Sequence, residues 1–324
     1  MKNQKPPTVA LARCNDYNQQ NIDRNVLRIF ELLGGIQKFI KPGDSVLLKP
    51  NFIAPKSRRC ATQTDPALII AIAKILKDFG AKPFVGDSPA WSTAAACADK
   101  LKLTETLKKM AVPITQLDKP RKCKTGHGRI PISSIALDAD VVINLPKFKS
   151  HQQLIATFAV KNMFGTVSGK AKAYLHFARG GVEHDFCKLL IDVYKTVNPA
   201  LTIIDAITVM DGPGPINGRP RPLGWLIAGI DPIACETICA ELIDLDPSKL
   251  PIIKTARKMA FGCSKTETID VVGDDFKENI CTDFQPAQLI PIRFSLLHVC
   301  KSIAKQLLLI TKNAFAKPKN TVKR

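Results

Sequence analysis

The sequence predicts an α/β fold: a mainly parallel, doubly wound sheet flanked by helices, followed by a basic amphipathic C-terminal helix. Three observations predict it. Short β-branched runs alternate with segments of helical period over residues 8–275. Polar clusters stand directly after several of those runs, where α/β proteins place ligands. After Asp283 no acid occurs, while eight Lys and Arg residues follow. No earlier composition break marks a boundary, so one large domain over residues 8–285 and a tail over 286–324 are expected.

Residues 8–12 (TVALA) read as the first strand. Ile22, Val26, Ile29, Leu33, Ile36 and Ile40 then mark one apolar helix face, weakened at Gly34-Gly35. Residues 45–48 form a buried strand that runs into Lys49-Pro50-Asn51. Pro50 stops the ladder and leaves Lys49 and Asn51 at the strand's carboxyl end. Asp65-Pro66 supplies an N-cap and a first-turn proline, with Leu68, Ile72, Ile75 and Phe79 inward and Gly80 closing the helix. A strand at 83–85 ends in Gly86-Asp87-Ser88-Pro89, where Asp87 and Ser88 also fit as caps of the next helix.

Residues 94–110 read as helical. Short strands fall around Ile114 and Ile130. Arg121-Lys122-Cys123-Lys124 reads as a solvated loop rather than a nucleic-acid patch, because no aromatic is interleaved. A helix over 184–197 precedes a strand over 201–207 that carries Asp205. Met210-Asp211-Gly212-Pro213-Gly214-Pro215 reads as a close-approach loop or a tight connection. A strand over 225–230 leads into Asp231-Pro232, a second capped helix. A helix over 248–260 and a strand over 269–273 close the domain.

Residues 140–165 hold the densest chemistry. Val141, Val142 and Ile143 read as a buried strand, followed by Asn144, Lys147, Lys149, His151, Thr157, Lys161 and Asn162. Such a set at a strand end fits an anionic ligand; the same residues also fit a solvated loop. Residues 166–183, with Lys170, Lys172, His176 and Arg179, read as a flexible basic loop over that site. The tail places Leu296, Ile303, Leu307 and Ile310 on one face and His298, Lys301, Lys305 and Lys312 on the other. It fits docking on the body, a partner or an anionic membrane, the last through residues 292–316.

A formal charge of +19 points to anionic partners. Ten scattered cysteines form no CxxC, and residues 1–7 are short and polar. Both favour a reducing cytoplasm, with a peripheral place at the inner membrane face left open. Cys235 and Cys239 read as core rather than metal ligands, and no metal-ligand set is assigned. GxSxG, GxxxxGK[ST] and GxGxxG are all absent, which argues against a serine hydrolase, a P-loop nucleotidase and a dinucleotide fold. Two Trp, three Tyr and no zinc finger argue against nucleic-acid binding.

In order, Lys49-Pro50-Asn51, Gly86-Asp87-Ser88-Pro89, Asn144-Leu145-Pro146-Lys147 with His151, Lys161-Asn162 with Gly165, Met210-Asp211-Gly212 and Gly229-Ile230-Asp231-Pro232 resemble the domain of unknown function 362 family over roughly residues 8–275. The resemblance implies a fold distantly similar to the N-terminal domain of lactate racemase-type enzymes. It also implies association with 4Fe-4S proteins, though this chain lacks a run such as CxxCxxCxxxC, so its cofactor stays unassigned.

The residues then support an enzyme of redox or proton-transfer chemistry on an anionic small molecule, with a separate redox partner protein as an option. His151, Lys147, Lys161 and Asp211 are the catalytic candidates. Lys49, Asn51, Asp87, Asn144 and Asn162 are the candidates for holding the ligand or cofactor. A binding or sensor protein for an anionic metabolite, and charge-driven nucleic-acid binding, are the alternatives.

Overall fold

The computed structural model describes residues 5–89, 92–168, 172, 175 and 183–289, with 183 and 184 as backbone only. The expected tail helix, including 292–316, lies outside the described residues, as do Lys170, His176 and Arg179. The described residues belong to a compact unit, Met1–Ile290.

In chain order come β1 (Thr8–Arg13), α1 (Gln19–Leu32), β2 (Ser45–Pro50), α2 (Pro66–Asp78) and β3 (Lys82–Asp87). Then follow α3 (Ala94–Lys100), α4 (Thr104–Lys109), β4 (Ile114–Gln116), β5 (Pro120–Thr125), β6 (Gly128–Ser133) and α5 (Ser134–Leu137). Next are β7 (Val141–Leu145), β8 (Lys147–His151), β9 (Ile155–Thr157), α6 (Ala159–Asn162) and α7 (Glu183–Val197). The last are β10 (Leu201–Asp211), β11 (Arg219–Gly229), α8 (Pro232–Glu241), α9 (Pro251–Lys258) and β12 (Asp270–Gly273).

One sheet runs in the order β12-β1-β11-β10-β7-β2-β3-β4, with β8 and β9 added beside β10. Along that order every pairing is parallel except the two made by β11. The sheet is therefore mixed but mostly parallel. The reversal follows from chain length. Only residues 212–218 join β10 to β11, too few for the crossover a parallel pair needs, so the two form a hairpin.

The faces are packed on both sides, as a doubly wound sheet requires. Val46 and Leu48 of β2 join one core with Ile22, Val26 and Ile29 of α1 and Leu68 and Ile72 of α2. Leu47, between them, joins the other core with Leu190 and Val193 of α7 and Ile233 and Ile238 of α8. Period-2 alternation thus divides one strand between two layers of helix.

The capped helix starts form as expected. Asp65 accepts from Ala67 N at 2.9 Å, and Asp231 accepts from Ile233 N at 2.8 Å. Elsewhere the chain differs from the expectation. Residues 94–110 make two helices because Lys102 turns left-handed (φ 59°), letting Leu103 N reach Ala98 O at 2.9 Å. That is a helix stop of the kind glycine usually marks, and no glycine marks it here. Arg121-Lys122-Cys123-Lys124 is no loop but most of β5, paired antiparallel with β6. Cys123 of β5 stands opposite buried Ile130, Arg121 stands opposite buried Ile132 and reaches Asp138 at the surface, and Lys122 and Lys124 are exposed.

Candidate functional site

The connection order creates the site. From β2 the chain moves to β3 and β4 on one side of the sheet, then returns to lay β7 on the other. Between β2 and β7 the strand order reverses, which is where open α/β sheets place their ligand crevice. Lys49 stands opposite Asn144, and Pro50 opposite Leu145, on the two strands that flank it. Asp87 closes β3 on the next strand.

Lys49 is fully buried. Its Nζ lies 2.9 Å from Asp87 Oδ1 and donates to Pro50 O at 2.6 Å. Asp87 Oδ2 also accepts from Phe52 N at 2.7 Å. Asn162 ties the strands together: its Nδ2 donates to Lys49 O at 3.0 Å and Asn144 Oδ1 at 2.8 Å, and its Oδ1 accepts from Asn51 Nδ2 at 3.0 Å. Gly165 is required beside them. A Cβ there would stand 2.4 Å from Asp87 Oδ1 and 2.5 Å from Lys49 Nζ, both in the interior.

Three more lysines converge on this pair. Lys149 of β8, 4% exposed, donates to Asn51 Oδ1 and to Thr62 O at 3.0 Å. Lys172 donates to Ser88 O and to Gly165 O at 3.2 Å. Lys161 of α6 is half-buried, and among the described residues no hydrogen-bond acceptor meets its amine. Among the described residues only Asp87 opposes these four ammonium groups, and it is already engaged by Lys49.

The electrostatic cost shows in the amines. Burial, then the like charges of Lys161, Lys147 and Lys49 against the weaker pull of Asp87, holds Lys149 well below the ordinary lysine range. Burial and then Lys49 bring Lys161 down to about 8. Burial brings Lys172 to about 7, despite Asp87. Even Lys49 is lowered, because burial outweighs Asp87. Behind α6, Glu236 accepts from Val160 N at 2.8 Å, and its burial raises it to about 8.

Lys147 belongs to a second network. Its Nζ meets Asp205 Oδ2 at 2.8 Å and Tyr17 Oη at 2.7 Å. The Tyr17 hydroxyl donates to Asp205 Oδ1 at 2.7 Å, and Asp65 N donates to Asp205 Oδ2 at 2.9 Å. Asp65 in turn takes both arms of Arg58. His151, 4% exposed, ends β8 opposite Ile155, and its Nδ1 accepts from Gln153 N at 3.1 Å. In the neutral ring that contact leaves the proton on Nε2. Asp211 pairs with Arg221 Nε at 2.7 Å and Arg219 Nε at 3.5 Å, in a chain that continues to Asp283.

The crevice therefore brings together Lys49, Asn51, Asp87, Asn144, Lys161 and Asn162. Lys147 sits in the carboxylate network, and Asp211 sits among arginines. Lys149 and Lys172, read from sequence as part of the basic strand end and of the loop over it but not among the catalytic or ligand-holding candidates, join the crevice as well. For Lys149 a signal existed, since it shares a strand face with Lys147; Tyr17 gave none.

Among the described residues no three Cys, His, Asp or Glu side chains come close enough to share a metal. Cys235 and Cys239 are buried thiols, pushed well above their usual range by that burial.

Comparison with known proteins gives three findings. The solved lactate racemase apoprotein from Thermoanaerobacterium thermosaccharolyticum aligns with 70% of this chain and 55% of its own, at 12% identity and a TM-score of 0.44. The chain is 34% identical over 309 residues to the thylakoid-associated protein sll1697 of Synechocystis sp., covering 92% of this chain and 94% of that one. Residues 46–241 match the domain of unknown function DUF362, which spans β2 through α8 and so contains the whole crevice. With more than half its length matched and a relative of that identity along almost all of it, the chain belongs to the DUF362 family.

Proposed function

We propose that the crevice between β2 and β7 binds a small anionic molecule, a carboxylate or phosphate, and catalyses proton transfer on it. One observation carries this reading: Lys149, Lys161 and Lys172 converge in a buried place with Asp87 as their only opposing carboxylate among the described residues. Uncompensated buried ammonium groups cost several kcal/mol each at an order-of-magnitude level, and an anion removes that cost. Asn51 meets Lys149, and Asn162, braced by Asn144, meets Lys49. Lys161, brought to about 8, has the acid–base strength for proton exchange near neutrality. His151 is the second acid–base candidate.

The test is equilibrium binding of inorganic phosphate and of short carboxylates, then exchange of the carboxylates' carbon-bound hydrogen in deuterated water. Lys161→Met should weaken binding and stop exchange, while His151→Ala should affect exchange alone. Undiminished phosphate and carboxylate binding by Lys161→Met would sink the proposal. Binding without exchange or any product leaves a sensor or carrier of anions.

A place at an anionic membrane surface is the companion reading. It is supported by the thylakoid association of the Synechocystis relative and by the outward face of β5 and β6, where Lys122, Lys124 and Arg129 are exposed without an acid among them. Among the described residues no helix is long and apolar enough to cross a membrane.

A further inference from the structure

We propose that Lys161 is a nucleophile that forms a Schiff base with a 2-oxo acid held by the neighbouring lysines. Imine formation rests on the crevice being an anion site, and it names the substrate class of that site.

The donors around Lys161 come first. A lysine ammonium has three N–H groups. Those of Lys49 meet Asp87 Oδ1 at 2.9 Å, Pro50 O at 2.6 Å and Asn162 Oδ1 at 3.4 Å. Lys149 gives two to Asn51 Oδ1 and Thr62 O, and Lys172 gives two to Ser88 O and Gly165 O. Among the described residues Lys149 and Lys172 therefore keep one N–H each, which suits the two oxygens of a single carboxylate.

Lys161 differs from all three. Among the described residues no acceptor meets its amine, so no hydrogen bond favours the protonated form. It is half-buried, whereas Lys49 and Lys149 are closed off from solvent. Its backbone is fixed on both sides: Glu236 accepts from Val160 N at 2.8 Å, and Asn162 is tied to Lys49 O and Asn144 Oδ1. Burial and then the charge of Lys49 bring its amine to about 8, so a large share is uncharged near neutrality. Desolvation beside other cations is a general way to activate a lysine nucleophile.

The step balances without a redox partner. The amine lone pair attacks the carbonyl carbon, a C–N bond forms, and the carbonyl oxygen leaves as water with the two amine protons. Once protonated, the imine draws electrons from the C–H bond on its far side. That bond breaks, its electron pair moves toward the nitrogen, and the proton passes to Lys172, whose amine is brought to about 7. For a 2-oxo acid the imine thus supplies the proton transfer proposed for the crevice.

The test is trapping on the full chain with pyruvate and sodium cyanoborohydride, which reduces an imine to a stable secondary amine, followed by peptide mass mapping. The wild type should carry the reduced pyruvate on Lys161. At pH 8 that labelling should outrun any surface lysine by about tenfold or more, because far more of the Lys161 amine is uncharged. Lactate, which lacks the carbonyl, should leave no label, and saturating phosphate should suppress labelling by pyruvate. Lys161→Arg keeps the charge but forms no imine, so it should lose the label and still bind phosphate. Phosphate binding with no label on Lys161, or with label spread evenly over the lysines, would overturn imine formation and leave the anion site standing. Labelling of Lys161→Arg equal to the wild type would overturn it as well. Label on Lys161 in a chain that binds no phosphate would support the imine and remove phosphate from the crevice.

Discussion

Lys147 and Lys149 stand on the same face of one strand, 3% and 4% exposed, and only Lys147 has a carboxylate. Asp205 takes Lys147, the Tyr17 hydroxyl and Asp65 N, so the Lys147 charge is matched within the network. Lys149 reaches only the neutral oxygens of Asn51 and Thr62, and two further lysines crowd it. Burial is the same in the two cases; compensation is not. A buried ion pair that is complete within the protein holds the fold. A buried ammonium that is incomplete has its counter-charge elsewhere, and that is the signature of a site.

The largest effect should come from breaking the complete network. Asp205→Ala leaves Lys147, Tyr17 and Asp65 N without their acceptor in the interior. The expected loss is about 3–5 kcal/mol, read from the denaturant midpoint. A loss under about 1 kcal/mol would mean that water replaces Asp205 and that the two lysines do not differ as argued.

Lys149→Met should behave in the opposite way. Removing an uncompensated charge relieves its burial, while Asn51 Oδ1 and Thr62 O lose a donor. These terms nearly cancel, so stability without ligand should change by no more than about 1 kcal/mol. Phosphate affinity should nevertheless fall about tenfold or more, since a charge-assisted contact is lost. Asp205→Ala costs stability and Lys149→Met costs binding; a Lys149→Met variant that unfolds would erase the distinction.

Little of that distinction was legible in the sequence. Lys147 and Lys149 look alike in the string KFKSH. The residues that separate them, Tyr17 and Asp205, lie far away along the chain and meet them only through the sheet order. What was legible was local. Asp65-Pro66 and Asp231-Pro232 are read from helix-cap chemistry alone, and Lys49-Pro50-Asn51 from a proline that ends a ladder. The crevice residues Asn144 and Asn162 were found because they follow a β-branched run. The reversed β11 was missed because a short Gly-Pro loop looks the same whether it turns a hairpin or ends a strand. Basic side chains on β5 hid a strand whose inward face depends on Ile130 and Ile132, contributed by its partner.

The pH dependence sharpens the comparison further. Lys161 and Lys172 hold protons only to about 8 and about 7 in the folded chain, against 10.5 for a lysine amine in water. Above pH 7 the unfolded chain therefore binds more protons at these groups, and folding gains stability as pH rises. Glu236, raised to about 8, opposes this: its folded form holds a proton longer, and stability falls as pH rises toward 8. Buried thiols such as Cys97, pushed up to about 12, act in the same direction only above about pH 9. The lysines should therefore dominate near pH 8–9, with stability rising across it. The double variant Lys161→Met, Lys172→Met should flatten that rise, and saturating phosphate should reverse it by keeping the amines charged. A slope unchanged in the double variant would remove these lysines from the account.

Lysines in water complete the series and should have the smallest effect. Lys124 of β5 lies directly opposite Arg129 of β6, both exposed, so the hairpin carries two like charges face to face. Such a pair costs a few tenths of a kcal/mol, and an anionic surface offsets it. Lys124→Gln should therefore leave the fold slightly more stable. It should also weaken retention on vesicles of anionic lipid by about 1 kcal/mol, roughly fivefold, at low salt. The difference should fade at high salt, since water and ions screen a surface charge as they cannot screen Lys149. Equal retention of both proteins at every salt concentration would take the hairpin out of membrane contact. It would leave the buried lysines as the part of the described chain where positive charge has a defined use.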